Sequence, residues 1–247
     1  MTRTLILGGA GGIGFATAAR IAARGDEVVL AGRTAQTLAA RAAQIGAAHQ
    51  VVDAGDFDAL ERLVGTLTAE PEGLHAIACC VGSIVLKPAH LTSRSDFDAA
   101  IATNLATAFA TVRAAGKHLT ARGGSVLLFS SAAVRVGLPN HELIAAAKAG
   151  VEGLVRAAAA TYAGRGLRFN AIAPGLVDTP LAQRITQHPK SLETSRAMHV
   201  LGRIGRADEV ASRRGCSART RRGSQDRCTA STAGSASRGP RDDVSTR

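Results

Sequence analysis

An apolar strand running straight into five glycines is the feature that most limits what this chain can fold into: Leu5-Ile6-Leu7-Gly8-Gly9-Ala10-Gly11-Gly12-Ile13-Gly14. Glycines let a backbone turn sharply and approach a bound anion, because no Cβ stands in the way. The apolar spacing over residues 12–23 predicts a helix, whose first amides and positive dipole end would face that anion. Strand, glycine turn and helix in this order build a cradle for a dinucleotide pyrophosphate. Two registers fit: Gly9, Gly11 and Gly14 satisfy G-x-G-x-x-G, and Gly8, Gly12 and Gly14 satisfy G-x-x-x-G-x-G. The bland alternative, in a chain holding 27 glycines, is a tight strand-to-helix turn that binds nothing.

The segments that follow repeat the alternation. Periodicity predicts short, nearly all-apolar strands at residues 4–7, 27–31, 49–52, 75–80, 125–129 and 168–172. Helical spacing covers residues 12–23, 35–45, 57–67, 95–119 and 141–163. Apolar strands alternating with helices predict an α/β fold, a doubly wound parallel sheet of Rossmann-like type covered on both faces. A chain of 247 residues and 46% hydrophobic content can bury one substantial core, so one domain over residues 1–211 is expected. No apolar run approaches the roughly 20 residues that span a bilayer, and Met1-Thr2-Arg3 leads directly into a strand. A cytoplasmic protein without a membrane partner is expected. Cys79, Cys80, Cys216 and Cys228 match neither metal-ligand nor disulfide spacing, so no metal is expected and the adjacent pair reads as buried strand residues.

A net charge of +11 would ordinarily suggest a nucleic-acid partner, but its distribution argues against one. Residues 212–247 hold nine arginines against three aspartates, which is +6 of the total. The chain has one tyrosine, no tryptophan and six phenylalanines, too few aromatics for a base-stacking platform.

Ligands of doubly wound sheets sit outside the carboxyl ends of the strands. Those ends carry Gly8 to Gly14, Arg33, Asp53, Gly82, Ser130 with Ser131, and the run from Pro174 to Thr179. As a spaced series they resemble the short-chain dehydrogenase/reductase family over residues 4–211. The resemblance selects the register Gly8, Gly12 and Gly14, with Ile13 inside it and Leu7 standing where a threonine is usual. It implies a nicotinamide cofactor, a small carbonyl or alcohol substrate, and a homo-oligomer formed through the fourth and fifth helices. Arg33 falls where an acidic residue would grip a ribose 2′-hydroxyl. A guanidinium there can pair with a 2′-phosphate, which favours NADP(H) over NAD(H); the alternative is a solvated arginine opening a loop. Asp53 is similar to the residue that accepts from the adenine amino group, or else it caps the following helix. The family's Asn-Asn-Ala-Gly stands here as Cys79-Cys80-Val81-Gly82, so only Gly82 matches. Pro174, Val177 and Thr179 fall in the loop that contacts nicotinamide in the family.

The resemblance also assigns catalytic positions. Asn104 matches the active-site asparagine that anchors a water relay, Ser131 the serine that orients the substrate oxygen, and Lys148 the lysine that holds the nicotinamide ribose. The proton-donating tyrosine expected four residues before Lys148 is Ile144. That spacing keeps positions 144 and 148 on one helical face. Isoleucine moves no proton, and positioned acid–base catalysis is typically worth about 10²- to 10⁴-fold. Weakened turnover is therefore one expectation, with water supplying the proton, and a catalytically inactive dinucleotide-binding protein is the other. His141, three residues before Ile144, is a candidate replacement acid; alternatively it and Glu142 simply open the helix. Tyr162 lies too far along the same helix to serve.

After Ala211 the family pattern stops. Residues 212–247 are rich in arginine, serine and glycine, a composition that predicts disorder. With permissible codons for residues 222–234, reading from the third base yields Trp-Val-Thr-Gly-Gln-Val-Tyr-Gly-Val-Asp-Gly-Gly, which is the family's ending. A frameshift explains the tail on that basis. The chain would then lack its last sheet strand.

Overall fold

In a computed structural model, which describes residues 1–212 and the backbone of 228–230, the glycine turn lies between strand β1 (Arg3–Leu7) and helix α1 (Gly12–Ala22). There follow β2 (Glu27–Gly32), α2 (Ala35–Ile45), β3 (Ala48–Val51), α3 (Phe57–Ala69) and β4 (Ala76–Cys79). The second half continues with α4 (Arg94–Ile101), α5 (Thr107–His118), β5 (Gly124–Phe129), α6 (Glu142–Tyr162) and β6 (Leu167–Ala173). A short strand β7 (Val177–Asp178), helices α7 (Gln183–Thr186) and α8 (Pro189–Met198), strand β8 (Gly205–Arg206), helix α9 (Ala207–Ala211) and strand β9 (Cys228–Ala230) complete it.

The main sheet is parallel throughout and runs β3-β2-β1-β4-β5-β6-β9. Strand order reverses between β1 and β4, and this switch point opens a crevice above their carboxyl ends. Alternate residues face opposite sides of each strand. Leu5, Leu7, Val126, Leu128 and Phe169 pack with Leu60, Val64, Val151 and Val155 on one face. Ile6, Leu30, Leu127 and Ile172 pack with Ala18, Ile21, Leu38 and Val210 on the other. Both faces are dry over β1, β2, β4, β5 and β6, whereas the edge strand β3, expected among the buried apolar strands, is exposed at all four residues.

Local signals fix the helices. Asp56 caps α3, accepting from the Asp58 and Ala59 amides at 3.1 and 2.9 Å, so the cap is Asp56 and Asp53 does not play that part. Ser93 and Asp96 form a reciprocal capping box at the start of α4. The single helix predicted over 95–119 is divided by a π turn, Ala102–Ala106, which sets Asn104 inward and buried. Near its carboxyl end α6 lays the Tyr162 ring beside Phe169, at a centroid distance of 5.6 Å, far from Ser131.

Strand β9 corrects the expectation of a missing last strand. Cys228, Thr229 and Ala230 pair in parallel with Ala171, Ile172 and Ala173 of β6. Ladder bonds are made by backbone groups, so a short segment of small residues can occupy the open edge of β6. The other tail residues, on which the expectations of disorder and of a frameshift mainly rest, lie outside the described residues. Among the described residues no helix is long and apolar enough to cross a membrane.

Candidate active site

The glycine turn is shaped for close approach. Gly8 adopts φ +72°, a left-handed conformation that favours glycine, and its amide donates to the Ala31 carbonyl at 2.8 Å. A Cβ on Gly14 would overlap the Gly8 carbonyl oxygen, so that position admits no side chain. A Cβ on Gly12 would come within 2.7 Å of Thr179 Cγ2, which shows that the loop after β7 lies directly on the turn. Gly11 stands at the N-cap of α1 without a side-chain acceptor, and the first turn contains no acidic residue. The leading amides at Gly12, Ile13 and Gly14 therefore meet no competing carboxylate. Open amides, a positive helix end and space that a Cβ would fill fit the pyrophosphate of a dinucleotide.

Arg33 and Asp53 stand side by side at the ends of β2 and β3. The Val52 amide donates to the Gly32 carbonyl at 2.9 Å, which aligns the two strand ends beside the Gly8 turn. Arg33 is exposed and has no ion pair among the described residues. Asp53 Oδ1 accepts from the Gly55 amide at 2.8 Å, which sets the loop into α3.

Across the crevice, the ends of β4 and β5 bring the catalytic candidates together. Asn104 Oδ1 accepts from the Ser83 amide at 3.0 Å, while its Nδ2 donates to Ser83 Oγ at 2.8 Å and to the Ala100 carbonyl at 3.0 Å. Asn104 thus clasps the turn that carries Gly82. A Cβ on Gly82 would lie 3.2 Å from Asn104 Oδ1 and 3.4 Å from Lys148 Nζ, so three of the predicted residues meet at one point. Lys148 is buried and donates from Nζ to the Phe129 carbonyl at 2.9 Å. Burial pushes its ammonium down to about 8, and the neighbouring Cys79 and Cys80 sulfurs oppose that drop.

Ser131 follows β5 directly, and its Oγ accepts from the Ala133 amide at 3.2 Å at the start of a 3-10 turn, Ala132–Val134. The Ala132 amide donates to the Pro174 carbonyl at 2.9 Å, joining the serine turn to the loop after β6. Ile144 is buried on α6, one turn before Lys148. His141 bonds through Nδ1 to the Pro139 carbonyl at 2.7 Å, and its own carbonyl accepts the first amide bond of α6 from Ala145. His141 is thereby engaged in opening the helix, and Glu142 beside it is exposed.

Two features of the site escape sequence reading. Glu152, buried one turn after Lys148, accepts from Ser130 Oγ at 3.0 Å and stands 3.5 Å from Arg135 Nη2. It fixes both flanks of the Ser131 turn to α6, and its i+4 spacing from Lys148 was the available signal. The pairing of β7 with β8 closes the base of a cap over residues 179–204. Two-residue strands leave no periodic trace, so the sequence offered none.

The glycine turn at the switch point and the cluster of Asn104, Gly82 and Lys148 beside it fit a dinucleotide-dependent oxidoreductase. A family model described as Enoyl-(Acyl carrier protein) reductase matches residues 8–213. The chain is 32% identical to a D-threitol dehydrogenase of Mycolicibacterium smegmatis, covering 84% of this chain and 82% of the relative. It is 35% identical to a cis-4-hydroxycyclohexanecarboxylate dehydrogenase of Sinomonas cyclohexanicum, covering 84% and 85%. Among solved structures, a short-chain type dehydrogenase/reductase from Mycobacterium ulcerans superposes with a TM-score of 0.81 at 25% identity, over 85% of this chain and 80% of that one. The chain belongs to the short-chain dehydrogenase/reductase family, whose dehydrogenases use nicotinamide cofactors.

Proposed function

We propose that this chain is an NADP(H)-linked oxidoreductase acting on a small carbonyl or alcohol, with proton transfer weakened by Ile144. The observation that carries the reading is the convergence of Asn104, Gly82 and Lys148 at one point, with Ser131 at the end of the adjoining strand. The amides of the Gly8–Gly14 turn take the pyrophosphate, Arg33 the 2′-phosphate and Asp53 the adenine amino group. Gly82 lets the adenine ribose approach, Lys148 holds the nicotinamide ribose, and Pro174, Val177 and Thr179 contact the nicotinamide. When bound, the dinucleotide supplies or accepts the hydride. Ser131 orients the substrate oxygen, and Asn104 anchors a water relay toward Lys148 that stands in for the absent phenol.

Titration of the whole chain with NADPH and with NADH tests this reading. A charge-assisted contact from Arg33 to the phosphate predicts about a ten- to hundredfold preference for NADPH. Arg33→Glu should abolish that preference. Equal affinity in the parent would remove NADP(H) as the cofactor, and binding of neither would remove the oxidoreductase reading. A second reading is favoured by one observation, the buried apolar side chain at position 144. On that reading the chain binds the dinucleotide as a sensor or assembly partner, and NADPH binding without oxidation across a carbonyl panel would select it.

A further inference from the structure

We propose that Glu152 is a positioning residue for Lys148: acting through Ser130, it keeps the lysine amine seated on the Phe129 carbonyl and Ser131 in register with it. The proposal rests on the oxidoreductase reading only for the use made of Lys148; the hold itself is a property of the chain. Of the nine residues that α6 buries, Lys148 and Glu152 alone are charged, and they stand one turn apart. A buried carboxylate costs free energy that an aliphatic side chain would not. Packing alone therefore does not account for a glutamate at 152.

The end of β5 grips Lys148 at two points. Nζ donates to the Phe129 carbonyl at 2.9 Å, and the next residue, Ser130, reaches the Lys148 carbonyl with Oγ at 3.3 Å. Ser130 has one hydroxyl proton, and Glu152 Oε1 stands closer to it, accepting at 3.0 Å. A bond accepted by a carboxylate is the stronger of the two. Ser130 is itself buried, and its amide is fixed on the Ile172 carbonyl at 2.8 Å, so the hydroxyl is aimed at α6 from a rigid strand end. Glu152 Oε2 stands 3.5 Å from Arg135 Nη2 and 3.8 Å from Arg156 Nη1, guanidiniums that reach it from the surface and offset its charge. Arg135 closes the 3-10 turn that Ser131 opens, so one carboxylate ties residues on both sides of Ser131 to the helix that carries Lys148.

Releasing Ser130 would part α6 from β5 at this level and admit water to the amine. Water favours the ammonium, so the titration midpoint of Lys148 would rise. Loss of a negative charge alone acts in the opposite direction and would lower it. The sign of the change therefore separates a positioning role from an electrostatic one. The titratable groups beside the amine are the Cys79 and Cys80 thiols of β4. From the other elements packed on α6, Asn104 is neutral, Arg94 of α4 pairs with Asp98 and Asp96 with Lys87, Arg113 and Lys117 of α5 pair with Glu61, and His118 packs on Gly65.

The test is competitive acetylation of the full chain, without dinucleotide, by acetic anhydride across pH, with the Lys148 peptide read by mass spectrometry against exposed Lys190 as internal standard. In the parent, Lys148 should titrate at about 8. Glu152→Ala and Ser130→Ala should each raise that midpoint by about one pH unit, and the double variant should raise it no further than either alone. Glu152→Gln keeps an oxygen for Ser130 and should stay within about 0.3 of the parent. Val155→Ala opens a gap one turn along α6 without removing any bond to Ser130, and should leave the midpoint in place. A parent midpoint near 10.5, a midpoint lowered or unmoved in Glu152→Ala, or an equal rise in Glu152→Gln or Val155→Ala overturns the proposal. If circular dichroism shows Glu152→Ala unfolded, Ser130→Ala decides, and an unmoved midpoint there overturns it. Failure of the parent to bind NADPH would sink the oxidoreductase reading, while the midpoints alone decide the role of Glu152.

Discussion

Lys148→Met should stabilise the chain near neutral pH and lose that advantage in alkali. The Lys148 amine is buried, makes its hydrogen bond to the Phe129 carbonyl, and has no carboxylate partner among the described residues. Burial holds the ammonium at about 8 in the folded chain, against 10.5 for an unburied lysine. At about 1.36 kcal/mol per pH unit, that gap corresponds to about 3 kcal/mol of folding free energy. Below pH 8 the amine is charged in both states, and the folded chain bears the full cost of burying it. Between about pH 8 and 10.5 the unfolded chain binds more protons, so parental stability rises with pH. Above that window the amine is neutral in both states and the cost is gone. Methionine has similar length and never titrates, so its variant shows no such rise. Losing the Phe129 bond adds a roughly constant penalty of about 1 kcal/mol. The advantage of the variant should therefore shrink by about 3 kcal/mol between pH 7 and pH 11. Urea unfolding followed by circular dichroism at each pH gives the difference directly, and a difference that does not change with pH would refute the burial argument.

Gly14→Ala places a Cβ onto the Gly8 carbonyl oxygen and should weaken NADPH binding at least about tenfold; an unchanged titration would show that the turn does not hold the phosphate. Ile144→Tyr restores a phenol one helical turn before Lys148, and steady-state assays should find turnover raised by about 10²- to 10⁴-fold. No gain would place the reacting carbonyl away from this face of α6. Asp56→Ala removes the α3 cap and should cost about 1 kcal/mol in urea unfolding without altering dinucleotide affinity.

The glycine turn and the strand ends were legible because their signals are local. Gly8 and Gly14 are demanded by backbone geometry and Gly12 by the close approach of Thr179, all within seven residues, and the buried apolar strands β1, β2, β4, β5 and β6 announce themselves by composition alone. Arg33 and Asp53 could be placed because each follows a readable strand. What stayed hidden depends on contacts between distant segments. Asn104 was found as a position, but its clasp on Ser83 spans 21 residues and comes with a π turn that no periodicity forecasts. The Glu152 bond to Ser130 spans 22 residues in the same way. The edge strand β9 was missed for a different reason: backbone pairing can recruit three small residues that carry no strand signature.

Ile144 shows why fold and catalysis can part company on this scaffold. The bonds that set the site are Lys148 to the Phe129 carbonyl, Glu152 to Ser130, and Asn104 to Ser83, and none of them involves position 144. Residue 144 instead contributes a buried apolar surface to α6, a role that isoleucine fills without leaving an unsatisfied hydroxyl. A tyrosine there would add a proton donor and a polar group needing a partner, while changing none of the bonds that align Ser131 with Lys148. On the proposed reading, isoleucine at 144 is therefore tolerated by the fold and felt only in the chemical step, so the geometry of the glycine turn can persist whether or not turnover does.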